Sequence, residues 1–305
     1  MIHSYIYCIE KVGEIGLVEE VKEFLVKVSG LPGAVVGEGV TFETGEHGRI
    51  MTLDENLCEV LVLSRYPVAP KTKVARTGML LSISCGSGVL GHTLNTLGYS
   101  LTKRRFQSSD PEKKMIEVTP VGIWARKKVI SFFETGIPVV DLVVPLGGGQ
   151  RELVIGDRKT GKTHFLLTTI LSQVDKGTIC IWASLGKRKT EIKAIEEFLE
   201  REKVLDKCVI IAADSHASPG EIYLAPYTAM TMAEYFRDQG RNVFLILDDL
   251  TTHAKFYREI ALISGTFPGR ESYPGDIFHV HSKLLERAGC FKIGKKEVTI
   301  TAIPG

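Results

Sequence analysis

The feature that most constrains this sequence is an eight-residue segment with two glycines near the middle of the chain. It fits the pattern G-x-x-x-x-G-K-[ST] with Gly156, Asp157, Arg158, Lys159, Thr160, Gly161, Lys162 and Thr163. Glycines at these places let backbone N–H groups curl around a phosphate. The lysine adds an ammonium for the terminal phosphates, and the threonine offers a hydroxyl to Mg²⁺. The segment therefore predicts a phosphate-binding loop.

The residues on both sides of the loop supply the context that such a loop needs. An apolar run at residues 153–155 precedes it and predicts a strand. Residues 162–174 follow, with Phe165, Leu166 and Ile170 at helical spacing on one side. A helix that begins at the loop adds the positive end of its dipole to the phosphate site. The alternative is a glycine turn that only caps a helix.

Downstream of the loop, apolar runs alternate with amphipathic stretches. The runs at 178–183, 209–212, 243–247 and 297–303 predict strands, and the stretches at 190–202, 228–238 and 254–263 predict helices. Continuous apolar strands alternating with helices indicate a parallel sheet covered on both faces. The sequence therefore predicts an α/β fold for this part.

The first part of the chain has a different pattern, with short alternating segments separated by glycines. The predicted strands lie at residues 24–29, 34–36, 40–42, 50–53 and 57–63. Short strands at this spacing indicate a small all-β barrel or sandwich. We therefore divide the chain into an N-terminal β-domain at residues 1–77 and a nucleotide-binding domain at residues 78–305.

Composition excludes several classes of protein. The 305 residues carry 38 Lys+Arg against 36 Asp+Glu, and 44% are hydrophobic, which excludes a disordered chain. The balanced charge gives no argument for nucleic-acid binding. No apolar run is long enough to span a bilayer, and the first ten residues do not read as a signal peptide. The six cysteines form no C-x-x-C pair, which predicts buried free thiols in a reducing compartment.

An acid at the end of another apolar strand is the expected partner of the loop for Mg²⁺. The run at 243–247 is followed by Asp248 and Asp249. Asp248 is the first acid after the strand, and we expect it to hold Mg²⁺ through water. For Asp249, a role as the N-cap of the next helix is an equal alternative.

With these residues placed, the chain resembles the alpha-subunit family of F-type rotary ATP synthases. Besides the loop, the segments that carry the resemblance are 134–141 (ETGIPVVD), 149–153 (GQREL), 224–227 (LAPY), 233–238 (AEYFRD), 268–276 (PGRESYPGD) and 281–288 (HSKLLERA). The resemblance is strong over residues 132–303 and weaker but collinear before them.

The resemblance implies a RecA-like P-loop nucleotide-binding domain that follows a β-barrel. It implies Mg²⁺ with ATP or ADP at a mainly regulatory or structural site, since catalysis in this family occurs mainly on beta subunits. The implied partners are beta subunits in an alternating ring, a gamma-type shaft and stator subunits. The implied location is peripheral, on the cytoplasmic face of the cell membrane or the equivalent organelle membrane, with the membrane reached only through the proton-channel sector.

One position argues against hydrolysis by this chain. In the family a Glu of the beta subunit, or a Gln of the alpha subunit, follows the second strand, and an ungapped alignment of residues 182–192 places Lys187 there. A charged ammonium cannot accept a proton from water. We therefore expect little or no hydrolysis by the chain alone. The alternative is a solvated surface lysine in a shifted loop.

The chain also departs from the family pattern elsewhere. His164 stands where the family has serine or threonine, and we count it with the loop as a neutral contact at the nucleotide site. Gly148 and residues 265–267 replace arginines. The family continues beyond residue 305 with the arginine that reaches a beta site, groups that pack on the base, and a helical domain, so the nucleotide-binding domain is expected to be incomplete.

Two other functions stay open from sequence. One is an adaptor, or degenerate relative, that keeps the fold without useful ATP affinity. The other is an independent P-loop motor ATPase, which would need turnover without a beta partner. Separately, residues 269–276 are expected to contact a neighbouring subunit through Arg270 and Glu271, with a plain solvent loop as the alternative.

Overall fold

The computed structural model of the protein describes residues 4–102, 111–157 and 159–305. Arg158 of the phosphate-loop pattern lies outside these residues. Within them, no helix combines the length and the apolar character needed to cross a membrane. All six cysteines fall in the described part, and each is a buried free thiol, as the sequence predicts.

The N-terminal part is a closed antiparallel barrel that follows one short helix. The helix α1 spans Tyr5–Val12, with the Ser4 side chain as its N-cap. The barrel strands are β1 (Ile15–Lys22), β2 (Leu25–Ser29), β3 (Glu38–Phe42), β4 (His47–Leu53), β5 (Leu57–Val62) and β6 (Lys73–Leu80). They are ordered β1-β2-β5-β4-β3-β6, and β6 pairs with β1 to close the barrel. The prediction of a small all-β barrel is confirmed.

Alternating side chains fill the barrel interior. Val40, Phe42, Ile50 and Val60 are fully buried there. One local prediction was wrong, since residues 34–36 are irregular and end in a turn instead of forming a strand. The strand β1 was not predicted. The strand β6 runs through the predicted domain boundary at residue 77, and the division into two domains stays a prediction.

Short elements connect the barrel to the large sheet. They are β7 (Ser82–Cys85), β8 (His92–Leu94), β9 (Glu112–Met115), β10 (Arg126–Lys127), β11 (Phe132–Phe133), α2 (Pro138–Val143) and β12 (Leu146–Gly147). The strand β7 pairs with β9, and β11 pairs with β12. The strands β8 and β10 join opposite edges of the large sheet.

The remainder alternates helices and strands, as the sequence predicts. Its elements are α3 (Lys162–Asp175), β13 (Ile179–Lys187), α4 (Lys189–Arg201), β14 (Cys208–Asp214), α5 (Pro219–Asp238), β15 (Val243–Asp248), α6 (Leu250–Ser264), α7 (Ile277–Leu285), β16 (Gly289–Ile293) and β17 (Lys296–Pro304). The sheet order is β10-β16-β17-β15-β13-β14-β8, with parallel pairing from β17 through β8. This mostly parallel sheet confirms the predicted α/β fold.

The two faces of the sheet bury different helices. On one face, α3 and α4 pack Leu166, Ile170 and Leu199 against Trp182 of β13. On the other face, α5, α6 and α7 form a larger apolar cluster with β13, β15 and β17. The start of α5 also touches the barrel, where a Cβ on Gly220 would lie 2.7 Å from the Val62 carbonyl oxygen. Only glycine permits this close approach of helix and barrel.

The segment before the phosphate loop lies beside β17. The N–H groups of Glu152 and Val154 donate to the carbonyls of Ala302 and Pro304 at 3.1 and 3.0 Å. The sequence predicted a regular strand at residues 153–155, but only one edge of this segment carries sheet hydrogen bonds among the described residues. The segment is therefore extended without being a regular strand.

Candidate functional site

The predicted phosphate loop leads directly into the helix α3. Gly161 is the N-cap of this helix, with φ of 96°, and Lys159 also has a positive φ of 66°. A Cβ on Gly156 would lie 2.7 Å from the Thr160 hydroxyl, so a larger residue there would displace that side chain. That hydroxyl donates to the Asp157 carbonyl at 2.8 Å. At Gly161 the positive φ favours glycine, and the loop turns there into the helix.

The helix α3 holds the loop against the sheet. Its Leu166 and Ile170 are buried under β13 and β15. The free N–H groups of its first turn and its dipole make this end favourable for an anion. The Lys162 ammonium folds back and donates to the Gly156 carbonyl inside the turn. The positive end of the α3 dipole and the Lys162 ammonium thus lie side by side at the loop.

The two acids at the end of β15 have different local roles. Asp249 is the N-cap of α6, since its carboxylate accepts the Thr252 backbone N–H at 2.6 Å. The predicted capping role of Asp249 is therefore confirmed. Asp248 is the last residue of β15 and stands opposite Ser184 in the register with β13. Its side chain is only 13% exposed.

Lys187 lies between these two acids. Its ammonium is 2.9 Å from an Asp248 carboxylate oxygen and 3.2 Å from one of Asp249. Gly186 makes this placement possible, because its φ is 65° and a Cβ there would lie 2.8 Å from a methyl carbon of Thr252. Lys187 is consequently a paired residue, and the alternative of a solvated surface lysine is wrong.

Burial and charge act against each other in this trio. Burial alone would lower the pKa of Lys187, but the two carboxylates outweigh it and raise that pKa. Burial raises the pKa of Asp248 above its usual range, although Lys187 and Lys162 oppose the shift. Burial also tends to raise the pKa of Asp249, yet the hydrogen bonds from Thr252 and Lys187 outweigh it and bring that pKa below the usual range. Lys187 thus stays charged at neutral pH.

One cleft joins the loop helix to this trio. It has a volume of about 750 Å³, and its lining includes Thr163, Lys187, Glu191, Phe198, Arg201 and Asp248. Thr163 and Asp248, the two predicted metal ligands, thus face one space. His164 is exposed, and its Nδ1 lies 3.4 Å from the Thr168 hydroxyl of its own helix.

The oxygen donors in this cleft suit Mg²⁺. This ion prefers oxygen ligands and is usually held by one or two protein groups together with substrate phosphates and water. The Thr163 hydroxyl and the Asp248 carboxylate are ligands of that type. Ser184, beside Asp248 in the sheet, has a buried hydroxyl without a hydrogen-bond partner. The Lys187 ammonium shows that the Asp248 carboxylate can pair with a cation in this place. The donor set therefore fits a metal carried by a nucleotide.

Sequence reasoning missed some residues at this edge of the sheet. Asp214, the last residue of β14, lies within 3.8 Å of the Lys189 ammonium and 3.4 Å of the Arg65 guanidinium. It could have been found by the rule that selected Asp248, an acid at the end of an apolar strand. Glu191 and Arg201 of α4 face the cleft, although the sequence treats α4 only as a helix that packs on the core.

Comparison with known proteins agrees with this geometry. The family model for the nucleotide-binding domain of the ATP synthase alpha/beta family matches residues 136–305, more than half of the chain. Similar proteins include ATP synthase subunit alpha 1 of Psychromonas ingrahamii, 38% identical over 96% of this chain and 57% of that protein. ATP synthase subunit alpha of Sulfurovum sp. is 40% identical over 96% of this chain and 58% of that protein.

A third relative, ATP synthase subunit alpha 1 of Dinoroseobacter shibae, is also 40% identical over 96% of this chain and 57% of that protein. The chain thus spans somewhat more than half the length of these curated relatives. The similarity runs through both the barrel and the α/β part. On the family match and these identities, the chain belongs to the ATP synthase alpha/beta family, as an alpha-subunit-like nucleotide-binding protein.

Proposed function

We propose that this chain binds ATP or ADP with Mg²⁺ at a non-hydrolysing site with a structural or regulatory role. The observation that carries the proposal is the shared cleft, into which Thr163, Asp248 and Lys187 all open. The loop N–H groups and Lys162 would hold the phosphates, and Thr163 and Asp248 would hold the metal, Asp248 through water. Mg²⁺ would supply neutralisation of the phosphate charge.

Among the residues that the structure describes, each carboxylate lining the cleft already has a partner, which supports the non-hydrolysing role. Hydrolysis needs an acceptor within hydrogen-bond reach of the attacking water. Lys187 stands beside Asp248 as a charged donor. The two glutamates of the cleft are engaged elsewhere: Glu191 accepts the Arg188 backbone N–H at 3.3 Å, and Glu197 lies 3.3 Å from the Lys193 ammonium.

Calorimetric titration of the purified chain with Mg-ATP tests this proposal. Lys162→Ala should weaken binding about 10- to 100-fold, since it removes a charge-assisted hydrogen bond to phosphate. Lys176→Ala is the matched control, because Lys176 follows the other end of α3 and pairs with Glu134 at 2.6 Å. It should bind ATP like the wild type. Phosphate release by the wild-type chain should not exceed the background.

Two results would favour the other functions. Absence of saturable binding, equal in wild type and Lys162→Ala, would indicate an adaptor without useful nucleotide affinity. Hydrolysis by the isolated chain that Lys162→Ala abolishes would indicate an independent motor ATPase.

The proposed setting is a ring in which this chain alternates with beta-type subunits of a proton-translocating ATP synthase. A gamma-type shaft and stator subunits would complete the assembly, which would lie at the cytoplasmic face of the cell membrane or its organelle equivalent. The names of the relatives support this, and so does a concentration of exposed apolar side chains upstream of the loop. Trp124, Leu142 and Ile155 are each more than 80% exposed, as expected of surfaces that meet another protein.

The connection between α6 and α7 is the proposed contact segment. Arg270 and Glu271 are exposed there, and Phe267 is 90% exposed beside them. Glu271 and Ser272 both have positive φ, which costs energy for residues other than glycine. Such a conformation on an exposed loop supports a role in contacts.

A further inference from the structure

Lys187 bears on which cation accompanies the phosphates, a role that rests on the proposed nucleotide site. Lys187 is the only ammonium that the structure places against both acids at the end of β15, among the residues it describes. Its side chain is 26% exposed, and those of Asp248 and Asp249 are 13% and 26% exposed. The charges are therefore partly shielded from water, where pairing has more effect than at an open surface.

The local backbone is built to hold the ammonium in place. The pairing of β13 with β14 shifts register between Leu185 and Lys187. Gly186 supplies the positive φ at this irregularity, and the space above it is filled by Thr252 of α6. A residue with a Cβ could not take this path without moving α6. The position of Lys187 is thus fixed by the sheet and by α6 together.

The ammonium alters what Asp248 presents to a nucleotide. An unpaired carboxylate at this edge would repel phosphate, and a divalent metal would be needed between them. With Lys187 at 2.9 Å, one negative charge of the acid pair is already balanced. A metal that approached Asp248 would have to share its carboxylate with the ammonium. Lys187 therefore both supplies a positive charge and competes for the metal ligand.

We propose that Lys187 is a built-in counter-cation for Asp248, which makes nucleotide binding at this site only weakly dependent on divalent metal. The ligand class is a nucleoside di- or triphosphate, with or without Mg²⁺. Lys187 acts here as a residue that sets metal dependence, which is separate from its inability to serve as a base.

The test is calorimetric titration of ATP into the full chain, with Mg²⁺ present or replaced by EDTA at equal ionic strength. For the wild type, we expect the two dissociation constants to differ by less than about threefold. For Lys187→Gln, we expect a difference of at least about tenfold, because one contact between unit charges is worth about fivefold in bulk water and up to about a thousandfold near a protein surface. Lys187→Arg should retain the weak dependence on Mg²⁺ of the wild type, since arginine keeps the positive charge.

Lys189→Gln is the matched control, because Lys189 is 62% exposed and only 3.8 Å from Asp214. It should behave like the wild type. Equal metal dependence of wild type and Lys187→Gln would overturn the role of Lys187 while ATP binding itself stands. Absence of binding in every variant and condition would instead overturn the nucleotide site. If Lys187→Gln does not fold, as judged by circular dichroism, strong metal dependence of the wild type alone still overturns the inference.

Discussion

His253→Gln should flatten the acid dependence of stability, because His253 is a buried histidine that folds in its neutral form. The residue lies on α6 and is fully buried. Its Nε2 is 3.1 Å from the Tyr223 carbonyl oxygen, and its Nδ1 is 2.9 Å from Nε2 of His281 on α7. A carbonyl only accepts, so Nε2 of His253 carries the proton and donates it. Nδ1 is then the acceptor, and His281 donates to it.

The surroundings of this histidine pair disfavour a positive charge on either ring. Tyr223 and Tyr227 of α5 lie beside the His253 ring, with Tyr223 stacked at 5.3 Å between ring centroids. Burial lowers the pKa of His253 to about 3, and a charge on His281 pushes it the same way. Burial also lowers the pKa of His281. Tyr257 of α6 stacks on Tyr223 and donates to Asp276 at 2.8 Å.

The sign and size of the effect follow from proton linkage. The folded pKa of about 3 lies below the unfolded value of about 6.5, so the unfolded chain binds the proton first. The contribution of neutral His253 is fully present above about pH 6.5 and is lost as the pH falls toward 3. Each pH unit in this window costs about 1.4 kcal/mol. Between pH 7 and pH 5 the loss is about 2 kcal/mol.

Urea unfolding at a series of pH values measures this loss. Comparison of variants cancels the titration of groups that do not contact His253, and glutamine keeps one donor and one acceptor. The wild type should lose about 2 kcal/mol more than His253→Gln between pH 7 and pH 5. His279→Gln is the control, since His279 is exposed on the same helix as His281 and should retain the wild-type slope. Parallel slopes for wild type and His253→Gln would refute the reasoning.

Two other predictions concern a buried ion pair and the proposed contact segment. Arg287 is 1% exposed and donates to both carboxylate oxygens of Glu234. Arg287→Met should therefore lower the free energy of unfolding in urea by about 3 kcal/mol. This value is at the low end for a broken buried ion pair because Arg237 remains 3.6 Å from Glu234. Adding Glu234→Met should recover most of that loss, and a double variant as unstable as the single one would contradict it. Arg270→Ala with Glu271→Ala should reduce co-purification with a beta-type subunit without changing ATP affinity in calorimetry; undiminished co-purification would count against the segment.

Where the local pattern carries the whole signal, the sequence predicts the structure closely. The helix α3 was predicted at 162–174 and spans Lys162–Asp175, because the loop fixes its start and one apolar stripe fixes its packing face. The strand before Asp248 was predicted one residue short. In both cases the turn signal and the apolar run are adjacent in sequence, so no distant contact is needed to define the element.

The helix α5 shows where the pattern was insufficient. It was predicted to begin at residue 228 but starts at Pro219, with Ser218 as its N-cap and Glu221 completing a capping box. The spacing S-x-x-E was visible in the sequence and could have given the start. The helix is buried on nearly all sides, by the sheet, by α6 and α7 and, at its start, by the barrel. Its first half therefore lacks the alternation of apolar and polar residues that marks a surface helix.

The partners of Lys187 and His253 could not be predicted from sequence. Lys187 and Asp249 are 62 positions apart, and His253 and His281 are 28 apart. Their contacts depend on which strands are neighbours and on how α6 and α7 pack. Sequence reasoning identified Lys187 as unusual at its position. It could not show that both acids at the end of β15 bind its ammonium.

The order of strands places the loop and Asp248 at different positions along the edge of one cleft. The strand β17 lies between β15 and residues 150–154 in space, although it follows both of them in sequence. Two strand spacings, about 10 Å between backbones, therefore separate the loop segment from Asp248. Thr163 and Asp248 line one cleft, so both would be available to hold a metal carried by a nucleotide. Lys187 approaches the same carboxylate from β13 on the other side, so it can remain in place while the loop binds phosphate.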